Sequence, residues 1–201
     1  MSETAVLTVL ILGGFLLGSV LFSKWVPSVL CGVDICENAP DHNPGATNVF
    51  LSCGVSMGAL VLALDLCKGF LPVFAACRYA DVGNTLFALV MLAPVLGHAI
   101  GIFNRFHGGK CIATSFGVEL ALLGETGVVW VLAGLYILFS TLIRISPNRV
   151  RSIVTYSLFG VIASAIALSA HQNAIALGNV LISLTVIAKH LRAVPEEVPA
   201  A

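Results

Sequence analysis

The chain has 201 residues, 58% of them hydrophobic and only 10% charged, with a mean hydropathy of +1.01 and a formal net charge of zero. A soluble domain carries about 25% charged residues, so a chain this apolar cannot cover itself with polar surface in water, and its natural solvent is lipid. These values leave no room for a large soluble domain, and without a long basic tract or zinc-finger spacing they argue against nucleic-acid binding.

A membrane span needs about 20 mostly apolar residues. The first apolar stretch, 5–22, has no basic residue before it and no small-residue cleavage signature, which predicts a retained span rather than a removed signal. A long polar connection, 23–48, is rich in Pro, Gly, Asp and Asn and is read as a functional or disordered loop. The second stretch, 50–67, ends before Lys68 and Gly69, and Pro72 predicts a kink or a new turn within 68–79. The remaining stretches are 84–103, 112–124, 127–145, 150–170 and 174–188, the fourth of the seven being short enough to lie tilted or half-embedded. The six cysteines show no close pairing, which speaks against a disulfide framework and a metal site.

Basic loops tend to remain cytoplasmic. With the N-terminus outside, Lys24, Arg105, Lys110, Arg144, Arg149, Arg151, Lys189 and Arg192 fall on the inner side, and Lys68 and Arg78 on the outer. Six spans would spoil that division. The fold class expected is therefore all-α: a single membrane-embedded domain over 1–201, a seven-transmembrane-helix bundle with its N-terminus outside and its C-terminus cytoplasmic.

This topology gathers three polar clusters on the inner side: Asp41-His42-Asn43-Pro44-Gly45-Ala46-Thr47-Asn48; Gly97-His98 with Asn104 to Lys110; and Lys189-His190-Leu191-Arg192. Gly108-Gly109-Lys110 opens an apolar helix, where close backbone N–H groups, the helix start and the lysine charge suit an anion. It is equally a tight turn with a topogenic lysine. Asp41-His42 reads as a carboxylate–imidazole pair or as a solvated loop, and Asn-Pro-Gly is ordinary turn chemistry. Within the spans, Asp65 stands at helical spacing for a salt bridge with Lys68, and Glu119 is expected to hydrogen-bond inside the bundle. Gly14 and Gly18 form a helix-packing pattern.

The chain resembles the bacterial acyl-phosphate-dependent glycerol-3-phosphate acyltransferases. The matching pieces, in the family's order, are Gly18-Ser19-Val20-Leu21-Phe22, then Asn43 to Val49, then Asp65-Leu66-Cys67-Lys68-Gly69 with Leu71-Pro72-Val73. Gly97-His98, Gly108-Gly109-Lys110 with Ala113-Thr114-Ser115, and His190 complete the set. The resemblance implies seven spans in a bacterial inner membrane and transfer of an acyl group from acyl phosphate to the sn-1 hydroxyl of glycerol 3-phosphate. Lysophosphatidic acid and phosphate would be the products, in phospholipid synthesis among membrane lipids. No cofactor is implied, because the donor's mixed anhydride carries the energy. On this reading Asn43, Gly45, Thr47, Asn48, His98, Arg105, Gly108, Gly109 and Lys110 bind substrate phosphate, and His190 joins Asp41 and His42 as catalytic.

The sequence also departs from the family pattern. Asp34-Ile35 is followed by Cys36-Glu37, the spacing to Asn43 is one residue longer, and Asp41, His42 and Leu51 stand where the family has Ser, Gly and Arg. Cys111 replaces a glycine and Ala193 an asparagine. One reading is a divergent acyltransferase in which Asp41 orients His42 as general base while Lys110 and Arg105 hold phosphate. The alternatives are a catalytically silent relative that binds or regulates a partner, and a small transporter.

Overall fold

A computed structural model of the chain describes residues 2–39 and 42–192, and every regular element among them is helical. Helix α1, Glu3–Ser19, starts at Ser2, whose hydroxyl accepts from the Ala5 N–H at 3.3 Å, with Glu3 in the first turn where the helix dipole favours an anion. It bends by 45° into α2, Phe22–Cys31, which is followed by the short α3, Ile35–Asn38. The polar connection expected at 23–48 thus holds two helices. Its Pro and Asp residues punctuate rather than abolish them: Asp34 caps α3 by accepting from the Cys36 N–H at 2.8 Å.

Helix α4, Ala46–Tyr79, corrects the expected span end at 67. It runs through Lys68, Gly69 and Pro72, and its break lies instead at Gly54, whose φ of 83° and ψ of 179° only glycine adopts readily. Helix α5, Leu86–Ile100, leads through a 3-10 turn, Ile102–Asn104, to α6, Ile112–Ala121. Helix α7, Val128–Ile137, passes into a π-helical turn, Leu138–Leu142, before α8, Asn148–Ser169, and α9, Asn173–Arg192. Among the described residues, four helices are long and apolar enough to cross a membrane: α4, α5 with its 3-10 turn, α8 and α9. The bent pair α1–α2 makes a fifth, while α6 and α7 are apolar but shorter.

Close backbone contact organises the bundle. A Cβ on Gly18 would overlap the Pro94 backbone of α5, and one on Gly97 would overlap the Phe15 carbonyl of α1. The packing pattern expected from Gly14 and Gly18 therefore serves α1 against α4 and α5 within this chain, with Ser19 Oγ donating to the Gly97 carbonyl at 3.2 Å. Leu7, Val73, Phe87, Met91, Leu132, Tyr156, Phe159 and Ile182 form the middle of the core.

The two ends of the bundle differ in charge. At one end Glu3 accepts from the Asp81 N–H and the Asn84 amide, and Gln172 donates to the Glu125 carbonyl. Arg78 lies there, over the Phe74 ring at 5.2 Å. The opposite end carries the starts of α4, α6 and α8 and the end of α9, with eight of the ten Lys and Arg residues. Lys68 belongs to neither end. Assigned to an outer loop from sequence, it is 1% exposed inside the bundle, 2.8 Å from Asp65 Oδ1. Glu119 is also corrected: it is fully buried, yet neither carboxyl oxygen has a hydrogen-bond partner among the described residues.

Candidate active site

At the basic end a cleft of ≈ 560 Å³ opens where the loops before α4 and α6 meet the end of α9. Five cations line it: Lys24, Arg105, Lys110, Lys189 and Arg192. His42, Asn43, Asn104 and His107 join them, and no Asp or Glu does so among the described residues. Two helices, α4 after Gly45 and α6 after Cys111, start beside the cleft, and helix starts add positive potential to that of the side chains. The arrangement suits phosphate.

Each wall is held by identifiable bonds. His42 sits in the left-handed region at φ 49°, with Nδ1 2.8 Å from the Cys36 carbonyl. A carbonyl only accepts, so Nδ1 carries the proton and Nε2 keeps its lone pair in the neutral ring. The Cys36 carbonyl thus orients His42, the part expected of Asp41, which lies outside the described residues. The Asn48 amide donates to the Asn43 carbonyl at 2.9 Å and closes the 43–48 turn.

The second wall is the 104–110 loop. Lys24 Nζ donates to Asn104 Oδ1 at 2.8 Å, and the Asn104 amide donates to the His107 carbonyl at 2.7 Å. Lys189 Nζ reaches across from α9 to the Ala99 and Gly108 carbonyls at 3.0 and 3.2 Å. The Gly109 N–H donates to the His98 carbonyl at 3.0 Å, and a Cβ on Gly109 would collide with His98 Nε2 and press on the Pro44 carbonyl. Only glycine fits that seam between the two loops.

Cys111, expected from the resemblance to replace a glycine, adopts a left-handed φ of 68°, a region that favours glycine. Burial pushes its thiol up to about 12, so it stays protonated and donates to the Val95 and Gly109 carbonyls at 3.4 and 3.5 Å.

Of the residues singled out from sequence, His42, Asn43, Arg105, Gly108 and Lys110 line the cleft. Gly45, Asn48 and Gly109 shape its loops. His98 lies beneath the floor. His190 is buried behind the rim, its Nδ1–H donating to the Val186 carbonyl at 2.8 Å. Thr47 is exposed in the first turn of α4, away from the cleft lining. Lys24, Asn104, His107, Lys189 and Arg192 line the cleft without having been counted among the site residues. Their signal was present in the sequence, since all five fall in the inner basic loops.

The sequence profile of the glycerol-3-phosphate acyltransferase family matches residues 8–196. The chain belongs to that family. It is 38% identical over 128 residues to the glycerol-3-phosphate acyltransferase of Thermotoga petrophila, covering 64% of each chain. It is 43% identical over 109 residues to that of Hydrogenobaculum sp., covering 54% of this chain and 55% of the relative. The matched stretch therefore spans less than two thirds of these curated relatives. Crystal structures of PlsY (YgiH), an integral membrane glycerol 3-phosphate acyltransferase, superpose with a TM-score of 0.76 in both the glycerol 3-phosphate and the lysophosphatidic acid forms. Identity is 29% and 28% respectively, over 92% of this chain and 88% or 87% of those chains. The chain shares their all-helical, integral membrane fold.

Proposed function

We propose that this protein transfers a fatty acyl group from acyl phosphate to the sn-1 hydroxyl of glycerol 3-phosphate, as a single-domain enzyme of the bacterial inner membrane. The observation that carries this is a cleft with five lining cations, and no Asp or Glu among the described residues, at one end of an apolar bundle. Both substrates carry phosphate, and the donor's apolar chain suits a site at the end of a membrane bundle. Membership of the family and the likeness to PlsY support the same reaction.

The topology proposed has seven crossings, α1–α2, α4, α5, α6, α7, α8 and α9, with the N-terminus outside. Eight basic residues at the cleft end against Arg78 at the other support it. The cleft then faces the cytoplasm, where glycerol 3-phosphate is found.

In the proposed reaction Lys110, Arg105 and the rim cations Lys24, Lys189 and Arg192 hold the two phosphates, with Asn43 and Gly108 at the loop edges. His42 Nε2 takes the proton of the acceptor hydroxyl as its oxygen attacks the acyl carbonyl. The resulting oxyanion is stabilised by the surrounding donors and cations. It collapses with cleavage of the acyl–oxygen bond to phosphate. Phosphate leaves with the electron pair and recovers the proton from His42. Asp41 and the buried His190 support this machinery, and the mixed anhydride supplies the driving force.

The test is phosphate release by the purified protein in nanodiscs from palmitoyl phosphate, with and without glycerol 3-phosphate. Acceptor-dependent release with lysophosphatidic acid formed is expected. No turnover from folded protein, under conditions where the Thermotoga relative works, would overturn the reading and leave a non-catalytic relative.

A further inference from the structure

Beneath the cleft floor lies a buried network that the proposed reaction does not use. Lys68 Nζ, in the middle of α4, is 2.8 Å from Asp65 Oδ1, 2.8 Å from the Val20 carbonyl and 2.7 Å from His98 Nδ1. The Phe22 ring lies 5.6 Å from the same nitrogen. Contact with Asp65 is an ion pair rather than an aligned hydrogen bond, while Val20 and His98 are aligned acceptors. An ammonium has three protons and no lone pair. His98 Nδ1 must therefore accept, and the ring proton stays on Nε2. Nε2 lies against Gly109, close enough that a Cβ there would clash with it, and the same Cβ would press on the Pro44 carbonyl, so the 43–45 and 108–110 loops approach each other here.

We infer that Lys68 is a positioning residue: it locks His98 in the Nε2–H form and so fixes a donor under the seam of the two phosphate-holding loops. The inference rests on the phosphate-site reading above and deepens it. The ordering is directional. Asp65 anchors Lys68, Lys68 fixes the imidazole, and the imidazole abuts Gly109, where the loop carrying Pro44 comes close. A lysine present only to neutralise Asp65 would have no need of His98, which lies 30 residues away on another helix. A ring protonated at Nδ1 instead would turn a lone pair rather than a proton toward Gly109 and the loop seam. Partners that orient a functional histidine from behind are worth roughly 10- to 100-fold in affinity or activity where this has been measured at metal sites.

The test is the ¹⁵N NMR tautomer of His98 in uniformly [¹⁵N]histidine-labelled full-length protein in nanodiscs, assigned by subtraction of a His98→Gln spectrum. The wild type is expected to show a neutral ring protonated at Nε2. Lys68→Met is expected to release it to the Nδ1–H form or a mixture. Because that change strands Asp65, the double variant Asp65→Asn/Lys68→Met is measured alongside, with the other four histidine signals reporting the fold. In the double variant KM for glycerol 3-phosphate is expected to rise roughly 10- to 100-fold with kcat little changed. An Nδ1–H or doubly protonated ring in the wild type overturns the inference, as does a tautomer unmoved in both variants. A wild-type ring protonated at Nε2 and released in the variants, in a protein without acceptor-dependent phosphate release, would overturn the acyltransferase reading while leaving the tautomer lock standing.

Discussion

Replacing Gly109 by alanine tests the seating of the phosphate loop most directly. The added methyl would clash with His98 Nε2 and lie 2.8 Å from the Pro44 carbonyl, closer than real Cβ contacts come. His98 cannot yield easily, because Lys68 holds its other nitrogen at 2.7 Å, and Pro44 is buried. The loop itself must move. Forcing a methyl into a packed site costs about 1–3 kcal/mol. Carried by the bound state at ~1.4 kcal/mol per tenfold, that raises KM for the phosphate substrates roughly 5- to 150-fold. Carried by the fold at about 2–4 °C per kcal/mol, it lowers Tm by roughly 2–12 °C. Gly134, in α7, is the control, with nothing within 4 Å of its would-be Cβ. There alanine should be neutral or stabilising by up to about 1 kcal/mol, since it is the better helix former. The assay is steady-state phosphate release plus thermal unfolding of both variants in the same detergent. Gly109→Ala with wild-type KM and Tm would refute the seam between the loops.

Three further predictions concern the surrounding groups. His42→Asn keeps a residue tolerant of the left-handed backbone but removes the base; kcat should fall by about 10²–10⁴ with KM little changed, and an unchanged kcat would refute the assignment. Lys189→Met keeps the stem and loses the bonds to the Ala99 and Gly108 carbonyls, so KM for glycerol 3-phosphate should rise roughly tenfold, and unaltered kinetics would mean α9 does not brace the loop. Glu119→Met removes a buried carboxyl with no hydrogen-bond partner among the described residues; unfolding should shift upward by the equivalent of about 1–3 kcal/mol, whereas a lower Tm would show that Glu119 has a structural partner.

Much of the cleft lining was legible because its residues cluster along the chain. Gly108-Gly109-Lys110 and His42-Asn43 announce themselves as glycine-rich polar loops between apolar runs, and the structure brings them to one cleft. The Asp65–Lys68 pair was also legible from its i, i+3 spacing. What Lys68 does was not. A lysine followed by glycine and then Pro72 has the composition of a span end, and nothing local reveals that its partners are the Val20 carbonyl and His98. The 23–48 segment misled for a related reason: Pro27 sits inside α2, buried against its neighbours while Trp25, Val29 and Leu30 face outward. Composition records average polarity. It does not record which face of a short helix meets protein.

The departures from the family pattern take on a different meaning once they are placed in three dimensions. Leu51, which the resemblance expects to replace an arginine, is 79% exposed and stands outside the cleft lining, so it adds nothing to the site's charge. The charge comes from elsewhere. Lys24 on α2 is held by Asn104, and Lys189 on α9 is held by two backbone carbonyls, so both cations are placed in advance of any ligand. Cations fixed by protein bonds lose less side-chain freedom when an anion arrives than cations drawn from solvent. At Cys111 the backbone is left-handed, a conformation that suits glycine, and the buried thiol lies against the Val95 and Gly109 carbonyls. In the proposed reaction, the weight of proton transfer falls on His42.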